Sequence, residues 1–303
     1  MTGPRRPLLP WLSLLVIYVV WGSTYLAIRV VVREMPPFSA AGLRFLASGL
    51  VMLGIALVVD RKHPRPTRRQ LADYAFVGVL LLSVGNGLVM SAERAIPSGI
   101  AALIVATVPL WIVLLDGLRA GGQPWTARAW VGALVGFAGV ALVARPEGEL
   151  TAGHWKGVLA LQAAALSWTI GSLYTQARPA KLPLLTASAV QMLAGALVLF
   201  LEALLLREDP SRLLSASSTA WGALAYLGTF GSLLGFTAFA YCLNELPAST
   251  VGTYAYVNPV VAVALGAAIL DEPLSPGLLL GGLLIVASVA LTTLRPRKPK
   301  ATA

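Results

Sequence analysis

Charged residues are scarce in this 303-residue sequence. Asp, Glu, Lys and Arg together make up 12% of the chain, whereas hydrophobic residues make up 57%. Soluble globular proteins carry about 25% charged residues. The composition therefore argues against an ordinary soluble domain and indicates a chain that crosses a membrane several times, with membrane lipid as its surroundings.

Cysteine and histidine are nearly absent. The single cysteine, Cys242, excludes a disulfide within the chain, and both histidines, His63 and His154, fall between the long apolar runs. We therefore expect neither a metal site nor a cofactor. The net charge of +10 would suit nucleic acid, but the basic residues are spread over short loops rather than gathered in one stripe, so we expect no such partner.

Long apolar runs dominate what is present. Breaks at Pro, Gly and charged residues separate ten runs, each close to the roughly 20 residues that cross a bilayer. The predicted transmembrane helices are 11–31, 38–59, 71–91, 95–116, 127–145, 155–177, 184–206, 219–243, 247–270 and 275–294. The predicted fold class is an all-α polytopic membrane protein.

Lys and Arg residues lie unevenly on the two sides of these helices. One side receives fifteen of them, five of which lie in the 61–69 loop, and the other side receives seven. Positive residues favour the cytoplasmic side. The sequence therefore predicts that both termini are cytoplasmic and that the protein is a multi-pass component of the inner membrane.

The two halves of the sequence resemble each other. Matched pairs occur at offsets of 147 to 150 residues, among them Trp21 with Trp168, Pro36 with Pro183 and Pro109 with Pro259. We assign a first five-helix repeat to 1–150, and a second repeat with a basic cytoplasmic tail to 151–303. Because five is odd, the repeats would be inverted, an arrangement common in secondary transporters that open a central site to each side in turn.

Three stretches resemble a known family. These are "VVWGSTYLAIRVVVREMPPFSAAGLRFLASG", "AERAIPSGIAALIVATVPLWIVLL" and "LNELPASTVGTYAYVNPVVAVALGAAILDEPLS". They are similar to the EamA-like ten-helix branch of the drug/metabolite transporter superfamily, and within it to YddG-type amino-acid exporters. The resemblance implies outward transport of amino acids, including aromatic ones. It departs at Gln123, where the family has an acidic residue that the second repeat keeps as Glu272.

Aromatic residues fall near the middle of two predicted helices. Trp21 and Tyr25 are four residues apart and share one helix face, and Trp168 occupies the equivalent place in the second half. Their rings would either pack in the core or line a cavity for an apolar or aromatic ligand. The sequence leaves these two alternatives open.

Arg44 is the only basic residue that lies deep inside a predicted span rather than near one of its ends. A charge at that depth is costly, so it either snorkels towards the membrane surface or faces a polar pathway, where it would attract a carboxylate. Gln191 is its partner in the second half and would lie at a matching depth towards the cytoplasm.

Two prolines interrupt predicted helices near mid-span. Pro109 and Pro259 each free a backbone carbonyl one turn earlier, and such breaks serve either packing or a gating hinge. The polar or aromatic residues that we expect to line the pathway with Trp21, Tyr25, Arg44, Trp168 and Gln191 are Asn86, Thr107, Tyr174, Tyr254, Tyr256 and Asn258.

Glycine pairs at GxxxG spacing predict close helix contacts. They are Gly132 with Gly136, Gly231 with Gly235, and Gly277 with Gly281. They would serve packing within the chain or a homodimer contact, between which the sequence does not decide.

The predicted function is a secondary transporter for small metabolites, with export of other drugs or metabolites as the alternative. An intramembrane enzyme is a distant alternative, because no catalytic constellation is visible. No carboxylate lies at mid-span, so the sequence favours movement down a substrate gradient.

Overall fold

The computed structural model describes residues 8–118, 126–144, 152–177, 182–246, 251 and 253–293, and every regular element within these ranges is helical. Both termini and Gln123 lie outside the described residues. Seven helices are long and apolar enough to cross a membrane, and three shorter apolar stretches, 130–143, 257–270 and 276–291, accompany them. The described chain thus has the architecture of a polytopic membrane protein.

The described helices follow the predicted apolar runs, although the ninth is described from Tyr254 rather than from residue 247. They are α1 (Leu9–Glu34), α2 (Pro37–Val59), α3 (Arg68–Ala92), α4 (Ser98–Asp116), α5 (Ala127–Val143), α6 (Ala152–Gln176), α7 (Leu184–Leu205), α8 (218–245), α9 (Tyr254–Leu270) and α10 (Pro276–Thr293). A four-residue helix, Ser211–Leu214, lies in the connection between α7 and α8.

Local chemistry determines where several helices begin. Pro37 occupies the first turn of α2, where its missing N–H costs nothing. Thr67 and Gln70 form a capping box at the start of α3, and the Ser217 hydroxyl accepts a hydrogen bond from the Ala220 N–H at the start of α8. These caps satisfy N–H groups that no helical carbonyl reaches.

Acidic residues from distant segments cap α2 and α7 reciprocally. Asp60, which follows α2, accepts hydrogen bonds from the N–H and hydroxyl of Thr186 at the start of α7, at 3.1 and 2.7 Å. Glu208, which follows α7, accepts bonds from the N–H groups of Phe38 and Ser39 at the start of α2, at 3.0 and 2.7 Å. The two helices therefore run antiparallel and pack along their length.

The remaining helices form matching contacts. α1 packs on α8 and α9, while α6 packs on α3 and α4. α5 and α10 approach through glycines, since a Cβ on Gly139 would lie 2.7 Å from the Gly281 carbonyl oxygen. A Cβ on Gly136 would meet Leu110 Cδ1 at 2.2 Å. Glycine therefore permits close approach of the α5 and α10 backbones at Gly139, and it leaves room for the Leu110 side chain at Gly136.

Three helices depart from regular α-helical geometry. α3 contains a π-helical segment, Val79–Asn86, and α8 contains another, Leu227–Leu234. α4 is interrupted at Ala106 and Thr107, just before Pro109, because proline cannot donate the hydrogen bond that would continue the helix. By contrast α9 continues through Pro259, which is its sixth residue. The two predicted interruptions therefore differ in the structure.

Candidate functional site

A cavity of about 140 Å³ lies at the centre of the helical bundle. α1, α2, α3, α4, α6, α8 and α9 all contribute to its wall. The sequence-predicted residues that line it are Trp21, Tyr25, Arg44, Asn86, Pro109, Trp168, Tyr254, Asn258 and Pro259. The structure thus brings together side chains that lie as far as 238 residues apart in the sequence.

Trp21 anchors an aromatic wall. Its ring centroid lies 5.3 Å from that of Tyr254 in an edge-on arrangement, and 5.7 Å from that of Phe236. Its indole N–H donates a 3.1 Å hydrogen bond to the carbonyl oxygen of Gly231 in the π-helical segment of α8. The bond fixes the ring, so that this wall offers a rigid apolar surface to a ligand.

Arg44 is the one cationic side chain among the described residues of the cavity wall. It is only 5% exposed, and its Nε donates to the Ser232 hydroxyl at 3.0 Å. Its guanidinium carbon lies 4.6 Å from the centroid of the Phe45 ring. Among the described residues no carboxylate pairs with it, and its Nη1 has no hydrogen-bond partner. A buried guanidinium with a free donor requires an acceptor.

The other lining residues mix apolar and polar groups. Trp168 lies on α6 across from the Trp21 wall and beside Gly85 of α3, where a Cβ would lie 3.6 Å from its ring. The Asn86 amide donates to the Leu81 carbonyl oxygen at 3.2 Å. In the orientation that satisfies its neighbours, the Asn258 amide donates to the carbonyl oxygens of Tyr18 and Tyr254.

Three predicted site residues lie elsewhere. Thr107 is fully buried and its hydroxyl donates to the Ile104 carbonyl oxygen at 2.7 Å. The Tyr174 hydroxyl donates to Asp73 Oδ1 at 2.7 Å, at the end of the bundle that carries the 61–69 loop. Gln191 packs its backbone against Gly78 and does not line the cavity. The side chain of Tyr256 lies outside the described residues.

Sequence reasoning missed the role of α8 in the site. It assigned Gly231 and Gly235 to packing within the chain or to a homodimer contact. A Cβ on Gly235 would, however, lie 2.3 Å from Trp21 Nε1, and one on Gly231 would lie 3.1 Å from Arg44 Nη2. These glycines therefore leave room for two site side chains. The signal was the GxxxG spacing, although spacing does not distinguish a neighbouring helix from a neighbouring side chain.

No cluster of three or more His, Cys, Asp or Glu side chains that could hold a metal occurs within the described ranges. The site is instead a cavity with aromatic walls and a few polar groups, enclosed by apolar helices, and Arg44 is the cation in it that no described carboxylate pairs with. Such cavities bind small organic molecules. The fold and the site together define a helical membrane protein with a small-molecule cavity between its helices.

Comparison with known proteins gives the family. The EamA-like transporter family model matches residues 9–145 and 155–294, and the chain belongs to that family. It is 39% identical over 301 residues to the uncharacterized inner membrane transporter YedA of Escherichia coli (strain K12), with 97% of this chain and 95% of the relative covered.

Relatives of lower sequence identity also match this chain over nearly its whole length. The uncharacterized transporter YvbV of Bacillus subtilis (strain 168) is 26% identical over 299 residues, with 96% of this chain and 94% of the relative covered. A solved crystal structure is similar in fold, with a TM-score of 0.65 and 24% identity over 93% of this chain and 95% of that chain. The similarity therefore extends over the whole bundle rather than over a single motif.

Proposed function

We propose that this protein is a multi-pass inner-membrane exporter of amino acids, including aromatic ones, which bind in the central cavity. Family membership supports transport, and the name of the 39%-identical relative supports the inner membrane. The predicted excess of basic residues on one side supports cytoplasmic termini. Export of other small metabolites by the same cavity is the second candidate.

The proposal depends on one observation: Arg44 and an aromatic wall line the same cavity. The unpartnered Nη1 of Arg44 is a donor for a carboxylate, and a hydrogen bond to a charged group contributes about 1.5–3 kcal/mol. Trp21 and Tyr254 offer apolar ring surfaces in the same cavity. A ligand with a carboxylate and an apolar side chain matches both features.

The packing supports ten spans in two inverted repeats. The contacts of α1 with α8 and α9 correspond to those of α6 with α3 and α4 when the two halves are exchanged. Asp60 and Glu208 cap the α2–α7 pair in the same reciprocal way. Exchange of conformation between two such halves would open the cavity to each side in turn.

Counterflow in proteoliposomes tests the proposal. Vesicles loaded with unlabelled tryptophan, threonine or a sugar are diluted into the corresponding radiolabelled compound. We expect transient accumulation of tryptophan and threonine but not of the sugar. Accumulation of the sugar alone would favour the second candidate, and chemical conversion of a compound without flux would favour an enzyme.

Arg44→Leu provides the matched test of the site. We expect it to reduce tryptophan counterflow about tenfold or more, because it removes the charged donor. Arg94→Leu is the control, since Arg94 is exposed and lies outside the cavity. Equal counterflow by the wild type and Arg44→Leu, at equal amounts in the membrane, would overturn the carboxylate site.

A further inference from the structure

Glu93 is fully buried, and its carboxyl group has no hydrogen-bond partner among the residues that the structure describes. It lies in the connection between α3 and α4, and its side chain is 0% exposed. Neither Oε1 nor Oε2 accepts a hydrogen bond from the part of the chain that the structure describes. By contrast, Asp60, Glu208 and Glu272 also follow helices, and each accepts hydrogen bonds at the start of another helix.

An arginine lies directly beside Glu93 but does not neutralise its carboxyl group. The Arg29 Nη1 donates to the main-chain carbonyl oxygen of Glu93, and the Arg29 Nε is buried without a partner. A guanidinium can bind a carboxylate with two donors. Pairing of the Glu93 carboxylate with Arg29 therefore requires a rearrangement from the geometry described here, in which Arg29 contacts only the main chain of Glu93.

The other charged groups around Glu93 come from each element that packs on it. On α1, the Tyr25 hydroxyl and the Arg29 guanidinium both interact electrostatically with the Glu93 carboxyl group. Arg33 of the same helix in turn repels Arg29. After α9, Glu272 lies close enough to repel it, although Glu272 is itself engaged by Ser98 and Gly99.

The nearby ionisable side chains of α6 and α2 have other contacts or are exposed. α6 packs on the turn through Gly157, whose Cβ would lie 2.6 Å from Ile96 Cγ1. On α6, His154 bonds to the Ala144 carbonyl oxygen and Lys156 is exposed. On α2, Arg44 bonds to Ser232 of α8.

An ionised carboxylate in this position would be strongly unfavourable. A buried carboxylate loses its hydration, and here no hydrogen bond compensates for that loss. The carboxyl group therefore holds a proton instead. Burial raises the pKa of the Glu93 carboxyl, while Arg29 opposes the rise and Glu272 adds to it. α1 connects this acid to the site, because Arg29 contacts the Glu93 main chain and Tyr25, one turn earlier on the same helix, lines the cavity.

We propose that Glu93 is a proton-binding site that couples proton movement to transport through the central cavity. In the conformation described here the carboxyl group holds its proton. In the alternate conformation it releases the proton and the carboxylate pairs with Arg29. The proposal rests on the proposed transport function, and it replaces simple movement down a substrate gradient, which the sequence favours, with proton-driven exchange.

Two transport measurements on full-length protein in proteoliposomes test the coupling. In the first, an imposed pH gradient drives net movement of radiolabelled tryptophan; in the second, counterflow is measured without a gradient. We expect Glu93→Gln, which mimics the protonated acid, to keep counterflow and to reduce stimulation by the gradient about tenfold. Glu245→Gln, at an exposed glutamate, is the control.

Other results would overturn the proposal. The proposal is contradicted if wild-type transport is independent of the pH gradient, or if a sodium gradient drives it instead. Full stimulation of Glu93→Gln by the pH gradient also contradicts it. If Glu93→Gln does not fold, wild-type infrared spectra decide, because a protonated buried carboxyl group gives its own absorption band. Loss of that band only at alkaline pH supports the proposal, and its absence at neutral pH overturns it.

A measurement that needs no substrate separates this proposal from the proposed function. If none of the three compounds is transported, the amino-acid assignment fails, and thermal unfolding against pH decides the role of Glu93. A raised pKa in the folded state means that stability falls as pH rises above the unfolded value of about 4.3. We expect this fall to be steeper in the wild type than in Glu93→Gln, and equal slopes would overturn the proton site.

Discussion

Asp60 and Glu208 hold the opposite ends of one antiparallel helix pair. Each follows the last turn of its own helix and accepts hydrogen bonds at the first turn of the other. A carboxylate at a helix N-terminus satisfies free N–H groups and interacts favourably with the helix dipole. The α2–α7 pair is thus joined at both ends by charged groups as well as by its apolar face.

Removal of either cap should destabilise the protein. We expect Asp60→Ala and Glu208→Ala each to lower the free energy of unfolding by about 1–2 kcal/mol, as loss of a helix cap does. The two sites lie about 33 Å apart along a 22-residue helix, so their effects should add. Thermal unfolding in detergent measures this, with Glu245→Ala as the control. If the double variant loses much less unfolding free energy than the sum of the two single variants, the two ends of the helix pair are coupled.

Gly235 should be essential to the site although it carries no side chain. A Cβ there would lie 2.3 Å from Trp21 Nε1, so Gly235→Ala must displace the indole and break its bond to Gly231. We expect about tenfold weaker tryptophan binding by calorimetry, from loss of one hydrogen bond and misplaced ring contacts.

Gly222→Ala in the same helix is the matched control for that variant. A Cβ at Gly222 meets no atom within 4 Å, so binding should be unchanged. Helix stability should rise by about 0.5–1 kcal/mol, because alanine loses less backbone freedom on folding. Unchanged binding by both variants would remove Trp21 from the site.

Cysteine labelling should reveal the orientation of the bundle. The native Cys242 is fully buried and is replaced by serine. Leu214, which is 87% exposed, and His63, which is exposed in the 61–69 loop, are each changed to cysteine in that background. A membrane-impermeant maleimide should label Leu214→Cys in intact cells and His63→Cys only after permeabilisation. The reverse pattern would place the termini outside.

Tyr174 should matter for stability rather than for substrate. Its hydroxyl donates to Asp73, and its ring centroid lies 5.1 Å from that of Phe76, away from the cavity. Tyr174→Phe should cost about 1 kcal/mol of unfolding free energy, which is typical of one hydrogen bond. Tryptophan binding, measured in the same preparation, should stay within twofold of the wild type. A larger loss of affinity would return Tyr174 to the pathway.

The sequence contains enough information for the helices and for part of the cavity. Apolar run length determines the helical segments, and the offset between Trp21 and Trp168 pointed to two residues that both line the cavity. These features depend on local pattern and on internal similarity, which a single sequence shows directly.

The remaining features of the site depend on contacts between residues that are far apart in the sequence. Tyr174 is a predicted pathway residue, but its hydroxyl donates to Asp73, 101 residues earlier, at one end of the bundle. Glu93 lies in a predicted connection, where an acid is ordinarily solvated, yet it is fully buried in the folded bundle beside Arg29. A single sequence does not reveal which partner a polar side chain finds across the bundle.

The π-helical segments of α3 and α8 give those helices a means of rotation. Hydrogen bonds in a π-helix span five residues rather than four. Conversion of such a turn to α-helical bonding would turn the rest of the helix by about one residue, or roughly 100°. Asn86 and Ser232 lie on these segments. The rotation would swing the Asn86 amide out of the cavity wall, or withdraw the hydroxyl that holds Arg44, while the capped starts of both helices stayed in place.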